Sequence, residues 1–519
     1  MEATFISANR RTLLKGIVAG LAVWQTACSD GGHSAAAAAE FNAAAGNKLA
    51  PQPLPPPDPL LHLLKRTRFG VSRADFDRIR RSGASAYVDE QLRWRLLPDA
   101  AELLALVHFP LAHLPAIATG LVAGLGYPIQ SGLYQQVQQQ LRGKTLFLAT
   151  YSERQLCELM VDFWSNHFNI PNDLGDLVVL KADDDRDVIR AHALGRFRDL
   201  LGASARSPAM LVYLDNASNT RNGPNENYAR ELMELHTLGV DGGFNEGDVK
   251  EVARCFTGWT VDSTLRIALF RPELHDNGEK TVLGQRIAAG GGTRDGDTVL
   301  DLLAAHPSTA RHIARKLVRR FVSDAEPEDF VASVAGVFQQ SGGDIPTVLR
   351  ALLLDPRFND YADEKLQRPL EYLASAVRAL VPEPLAYHGP DLLDSVTRMA
   401  QAPHGWRAPN GYPDSADYWL STTGLLERWN FAAALAESRN LLDRSHVQNL
   451  VGGRQSAAGL VDMLAQSLLQ RPLLDRDRDA LVTRVGEGNP ERILSGTSLR
   501  DYAEAIAGLL LASPYFQLR

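Results

Sequence analysis

Apolar side chains recur at helical spacing through most of this chain. Across residues 225–238, Tyr228, Leu232, Leu235 and Leu238 share one face, while Glu226, Arg230 and Glu234 share another. Similar stripes predict helices over 134–150 and 152–168, joined near Tyr151, and over 187–205, 247–257, 308–322, 425–437 and 499–511. Ser72 and Asp75 form a capping-box-like start for a helix that stops at Gly83. Pro208 opens a further short turn, and Gly239 stands where the 225–238 helix must end. Residues 265–270 and 280–287 read as the two arms of one β-hairpin, with His275–Gly278 in the connection. The expected fold class is therefore mainly α: a large multi-helix domain with a small β-hairpin excursion near residues 265–287.

The polar positions cluster most densely at 211–240. Asp215, Asn216, Asn219, Asn222, Asn225 and Asn227 crowd a loop and a helix entrance. Buried polar groups need partners, so such a cluster implies an internal network or a bound ligand.

The N-terminus has a different character. Arg10-Arg11 followed by Thr12, Leu13, Leu14 and Lys15 resembles a twin-arginine export motif, and the apolar run over 16–24 is too short to span a bilayer. Residues 1–28 are expected to be a signal peptide. Cys28, after Thr26-Ala27, is a candidate lipid anchor, although Gln25 departs from the usual aliphatic residue. Residues 29–58, rich in Ala and Pro, read as an extended linker. A helical domain follows over 59–519, with room for a C-terminal subdomain from about residue 386. The expected address is the periplasm or cell envelope.

Composition excludes some functions. The chain has 519 residues, 45% hydrophobic and 22% charged, with a net charge of −7. A pI near 6.0 gives no basic footprint for nucleic acid. No H-E-x-x-H, C-x-x-C or G-x-S-x-G motif occurs. Residues 291–298 nearly spell a phosphate loop, but Asp297 stands where the lysine must be. Cys157 and Cys255 lie in apolar helical patterns and read as core thiols.

Several ordered segments carry a resemblance. They are the stretch 211–240, Phe163-Trp-Ser-Asn-His-Phe168, Val252-Ala-Arg-Cys-Phe-Thr-Gly-Trp259, His275-Asp-Asn-Gly278 with Thr281-Val-Leu-Gly284, and 306–317. Gly405-Trp406 and 411–415 match more loosely. Together they resemble the bacterial family of exported proteins catalogued as domain of unknown function 1800, a resemblance that implies no particular reaction.

Candidate chemistry comes from the residues themselves. His167, Asp215, Glu226, Arg230 and Glu231 could supply an acid/base pair, and the carboxylate and amide oxygens of the loop suit a divalent cation. Asn216, Asn219, Asn225, His275, Asp276 and Trp406 are further candidate binding residues. Each has a structural counter-reading: Glu–Arg pairs brace a helix, Asn residues satisfy turns, and a histidine beside Trp164 and Phe168 belongs in a core. Asp183-Asp-Asp185 and Asp187 read as charge at a helix start. The basic groups over 311–320 read as a paired face or an anion grip. Trp406, Tyr412, Trp419 and Trp429 read as core packing or as a platform for sugar rings.

Two functions compete on this basis. One is a hydrolytic or metal-assisted enzyme acting on an envelope or extracellular polymer. The alternative is a non-catalytic polymer-binding or envelope assembly protein, whose partners would be a polysaccharide or another envelope protein.

Overall fold

The computed structural model describes residues 53–118, 131–381, 384, 389–437 and 447–519. The expected signal peptide, Cys28 and most of the expected linker lie outside the described residues, as does the expected boundary near 386. Helices dominate, and the sheets among the described residues are three two-stranded antiparallel pairs. The mainly α class is the observed one. No described helix is long and apolar enough to cross a membrane.

Local signals set most helix ends where the sequence places them. Ser72 caps the Arg73–Ser82 helix, which stops at Gly83 with φ +85°. Pro208 opens Pro208–Tyr213 and Pro307 opens Pro307–Phe321. Asn245 and Asp248 form a reciprocal capping box on Glu246–Cys255.

Three local expectations are corrected. The single hairpin is instead two: Trp259–Val261 pairs with Ala268–Phe270, and Lys280–Val282 pairs with Gln285–Ile287. Leu283 and Gly284, both at positive φ, turn the second strand back on itself. The helix expected over 187–205 is broken, because Phe197 starts a new helix whose N–H donates to the Gly343 carbonyl. Asp183, Asp184 and Asp185 lie inside a continuous helical segment, where Leu177–Asp183 passes into a π-helical stretch, Asp184–Arg190. Asp184 there pairs with Lys181 at 2.7 Å, and Asp185 with Lys144 at 2.8 Å and Arg190 at 2.9 Å.

One cluster of buried apolar residues runs from Leu61 to Phe516. Pro369–Leu380 lies at its centre, touching both Ser131–Tyr151 and Thr422–Glu437. Gly496–Ala512 lies along Thr422–Glu437. Ions penetrate this core: Glu371 pairs with Arg320, with Arg519 at 3.0 Å and with Arg368 at 3.3 Å. Of the three cysteines, the described Cys157 and Cys255 are free and buried, and burial pushes the Cys255 thiol up to about 12.

Candidate functional site

The polar loop is mostly a self-satisfied network. Asn216 is buried and donates to the Phe256 and Trp259 carbonyls, at 3.3 Å each. Asn219 is also buried; it donates to Asn216 Oδ1 at 3.1 Å and to the Ala253 carbonyl at 2.8 Å. Its Oδ1 accepts from the Asn225 N–H at 2.9 Å. These bonds staple the loop to the Glu246–Cys255 helix and the strand that follows. Asp215 is exposed in the left-handed region at φ +61°, and its carboxylate accepts from the Asn227 amide at 3.2 Å.

The helix that follows the loop has a charged outer stripe. Arg230 makes a bidentate pair with Glu246, 2.7 Å on each arm, and reaches Glu226 at 3.5 Å and Glu234 at 3.6 Å. Burial, with Glu234 nearby, pushes the Glu231 carboxyl above the usual range. It lies beside Tyr213, whose hydroxyl burial and Glu231 together push up to about 12. That hydroxyl donates to the Arg407 carbonyl at 2.6 Å.

This helix ends in a π turn, Leu232–His236, and its last carbonyls are claimed by histidines. His312 Nε2 bonds the Leu235 carbonyl at 3.1 Å, and His167 Nε2 bonds the His236 carbonyl at 3.0 Å. Both rings therefore carry the proton on Nε2. The other nitrogen of His167 accepts from Lys316 Nζ at 2.9 Å. Burial, with Lys316, His236 and His312 nearby, drives the His167 pKa well below its ordinary value. Lys316 is partly exposed; burial, with Arg319 adding repulsion, pulls it down to about 8.

An aromatic loop lies against the other side of the His167 helix. Asn169 donates to the Trp406 and Ala408 carbonyls at 2.9 and 2.7 Å, and Asn166 Oδ1 accepts from the Tyr412 N–H at 3.2 Å. Gly411 sits at φ +72°, and a Cβ there would stand 2.2 Å from the Asn166 carbonyl oxygen. The clamped loop gathers Trp406 and Tyr412 with ring centroids 5.1 Å apart, and Trp406 and Tyr418 edge to face at 5.9 Å. Trp419 backs the group from beneath, 4.8 Å from Tyr418. Trp429 packs against the core instead.

The structure does not gather the five candidate catalytic residues. Among the described residues no hydrogen bond or ion pair joins His167 to Asp215, Glu226, Arg230 or Glu231; His167 is interior and the others lie at or near the surface. Among the described residues no three His, Cys, Asp or Glu side chains converge as a cation would require. His275 is buried against the Thr257 carbonyl at 2.8 Å and Asp295 at 3.2 Å, and Asp276 is held near 2 by Arg254 at 2.7 Å. The basic stretch pairs with its own neighbours, Arg311 and Arg315 with Glu328 and Arg319 with Glu326, rather than with the acidic helix. Sequence reasoning missed Lys316 and His312 as partners of His167, and Tyr418 as part of the aromatic group.

A family model described as "Protein of unknown function (DUF1800)" matches residues 62–518. No curated protein and no solved structure matches the chain.

Proposed function

The chain belongs to the DUF1800 family, and from that premise we propose that it is an exported, non-catalytic envelope protein that binds polysaccharide on its 406–419 loop. The aromatic group carries this reading. Trp406, Tyr412 and Tyr418 meet at one surface, and Tyr418 is 46% exposed. A sugar ring has an apolar C–H face and a hydroxyl rim. The rings would take the first, and the exposed Arg407, Asn410 and Asp417 around them would take the second. Asn166 and Asn169 hold the loop in place before any ligand arrives, which lowers the ordering cost of binding. Export rests on Arg10-Arg11 and the apolar run after them.

Retention on immobilised envelope polysaccharide tests the reading. Trp406→Ala and Tyr418→Ala should each weaken retention by about ten-fold while the circular dichroism spectrum stays unchanged. Retention equal to the unsubstituted protein would remove the loop from consideration. Export is tested by Arg10→Lys with Arg11→Lys, which should halt translocation.

One observation favours a hydrolytic variant of the same site. Glu231 has a raised carboxyl pKa and acts electrostatically on Tyr213, whose hydroxyl donates to the loop at the Arg407 carbonyl. Burial, with Glu234 nearby, shifts that carboxyl in the direction a general acid toward a polymer lying on the rings requires. Glu231→Gln would then abolish cleavage of bound polymer without reducing retention.

A further inference from the structure

The helix Ala100–His108 is packed the wrong way round for a surface that faces water. Its small residues Ala101 and Ala105 are the buried ones, and the helix lies against Ser131–Tyr151. Its outward side chains are large and aliphatic: Leu103 is 68%, Leu106 49% and Val107 74% exposed. These three stand at i, i+3 and i+4 and so share one face. Leu96, 78% exposed, ends the turn Trp94–Leu96 just upstream. Arg154 ties that turn to the helix. It donates to the Leu97 carbonyl at 2.8 Å and to Glu102 at 2.5 Å, and its guanidinium lies 5.3 Å from the centre of the Trp94 ring. An amphipathic surface helix buries its large apolar residues, so this inversion leaves an aliphatic ridge in water.

The size and shape of the ridge decide what covers it. The four side chains together expose roughly 500 Å², near the top of the range for one patch on a monomer and short of the ~800 Å² that each partner gives to a standard protein interface. A helix back is convex and has no walls to grip a rigid partner, whereas a fluid acyl layer moulds itself around such a ridge. Charge does not favour an ionic partner, since Arg93, Arg95 and Arg154 border the ridge together with Asp99, Glu102 and Glu153. Trp94 stands partly exposed at its edge with the Arg95 guanidinium 4.7 Å from the ring centre, a pairing suited to headgroup depth. The chain upstream agrees. Cys28, the candidate lipid anchor, precedes Pro53 by a stretch able to span up to roughly 80 Å, more than the ~60 Å width of a domain this size. Such a tether brings every face within reach of a bilayer and selects none.

We propose that Leu96, Leu103, Leu106 and Val107 form a membrane-contact face that seats at the headgroup–acyl boundary of a lipid bilayer and fixes how the protein lies on it. The proposal rests on the envelope reading above. A single lipid chain holds a protein only marginally, and a second contact makes the attachment stable. With cations and carboxylates in balance around the ridge, the aliphatic side chains supply the binding, so it is independent of lipid charge and of salt.

The test places one environment-sensitive fluorophore on Leu106→Cys in the full chain with Cys28→Ser, and on the exposed Lys250→Cys as a control, and adds phosphatidylcholine vesicles that carry a lipid-borne quencher. Cys157 and Cys255 are buried and stay unlabelled. Emission from position 106 should fall at least about two-fold, in low and high salt alike, while emission from position 250 holds. Leu103→Ser with Val107→Ser should abolish the quenching at 106. Unquenched emission at 106, or equal quenching at 106 and 250, would overturn the proposal. So would a concentration-dependent dimer that the same double substitution dissolves, which would make the ridge a contact between copies of this chain. Polysaccharide retention is read without lipid and export without the ridge, so a failure here leaves those readings standing, and their failure leaves this measurement intact.

Discussion

Lys316 donates to His167 Nδ1 at 2.9 Å, and no described carboxylate lies within ion-pair distance of its ammonium. With its pKa near 8, its neutral form at pH 7 is about two orders of magnitude more abundant than that of an ordinary lysine. Lys316 should therefore be acylated at pH 7 at least about ten-fold faster than the exposed Lys250. Peptide mass spectrometry after brief treatment with acetic anhydride reads this. Equal labelling would show that the amine stays charged or shielded.

Acid should destabilise the protein well before its carboxylates protonate. Burial lowers His62, His236 and His404 to about 3 and His312 to about 4, and lowers His167 strongly as well. Each takes up its proton more readily in the unfolded chain than in the folded one. Their contribution to stability is complete above about pH 6.5 and is lost as pH falls from there toward the folded values, at up to about 1.4 kcal/mol per pH unit for each ring. Urea midpoints at pH 7.5, 6.0 and 5.0 should fall progressively. A flat profile over that range would mean the rings are not buried in the neutral form.

The charged stripe and the amide relay should respond differently to mutation. Arg230→Ala removes partly exposed ion pairs and should cost less than about 1 kcal/mol. Asn219→Ala leaves the Asn225 N–H without its partner and takes from the Ala253 carbonyl its side-chain donor, and should cost about 2–3 kcal/mol. Denaturant unfolding of the two variants decides this, and the reverse order would relocate the stability of this segment to its salt bridges.

Gly411→Ala should disable the loop without touching a ring. The positive φ and the approach to the Asn166 carbonyl leave no space for a Cβ, so the loop must shift at a cost of about 2 kcal/mol. Polysaccharide retention should drop as far as in Trp406→Ala. Full retention would show that the clamp is not what positions the rings.

Helix ends were legible because their signals are local: Ser72, Pro208 and Gly239 act within a few residues of themselves. The 187–205 break was not, because the apolar stripe runs on; what restarts the helix at Phe197 is a bond to Gly343, remote in sequence. The two hairpins did leave a trace in Leu283-Gly284, a two-residue turn that the wider pairing overlooked. The histidine cluster was invisible for a different reason. His167, His236 and His312 come from three separate helices, and no spacing along the chain records that the His167 and His312 rings would cap the end of the helix that carries His236, with Lys316 on His167.

Glu371 has partners that emerge from the ribosome at very different times: Arg320 before it and Arg519 long after. The backbone beside it waits as well, since Lys365 and Gln367 bond Arg519 and Gln517. Until the segment that carries Gln517 and Arg519 has been made, Glu371 lacks one of its three guanidiniums and the Lys365 and Gln367 N–H groups lack the carbonyls they bond.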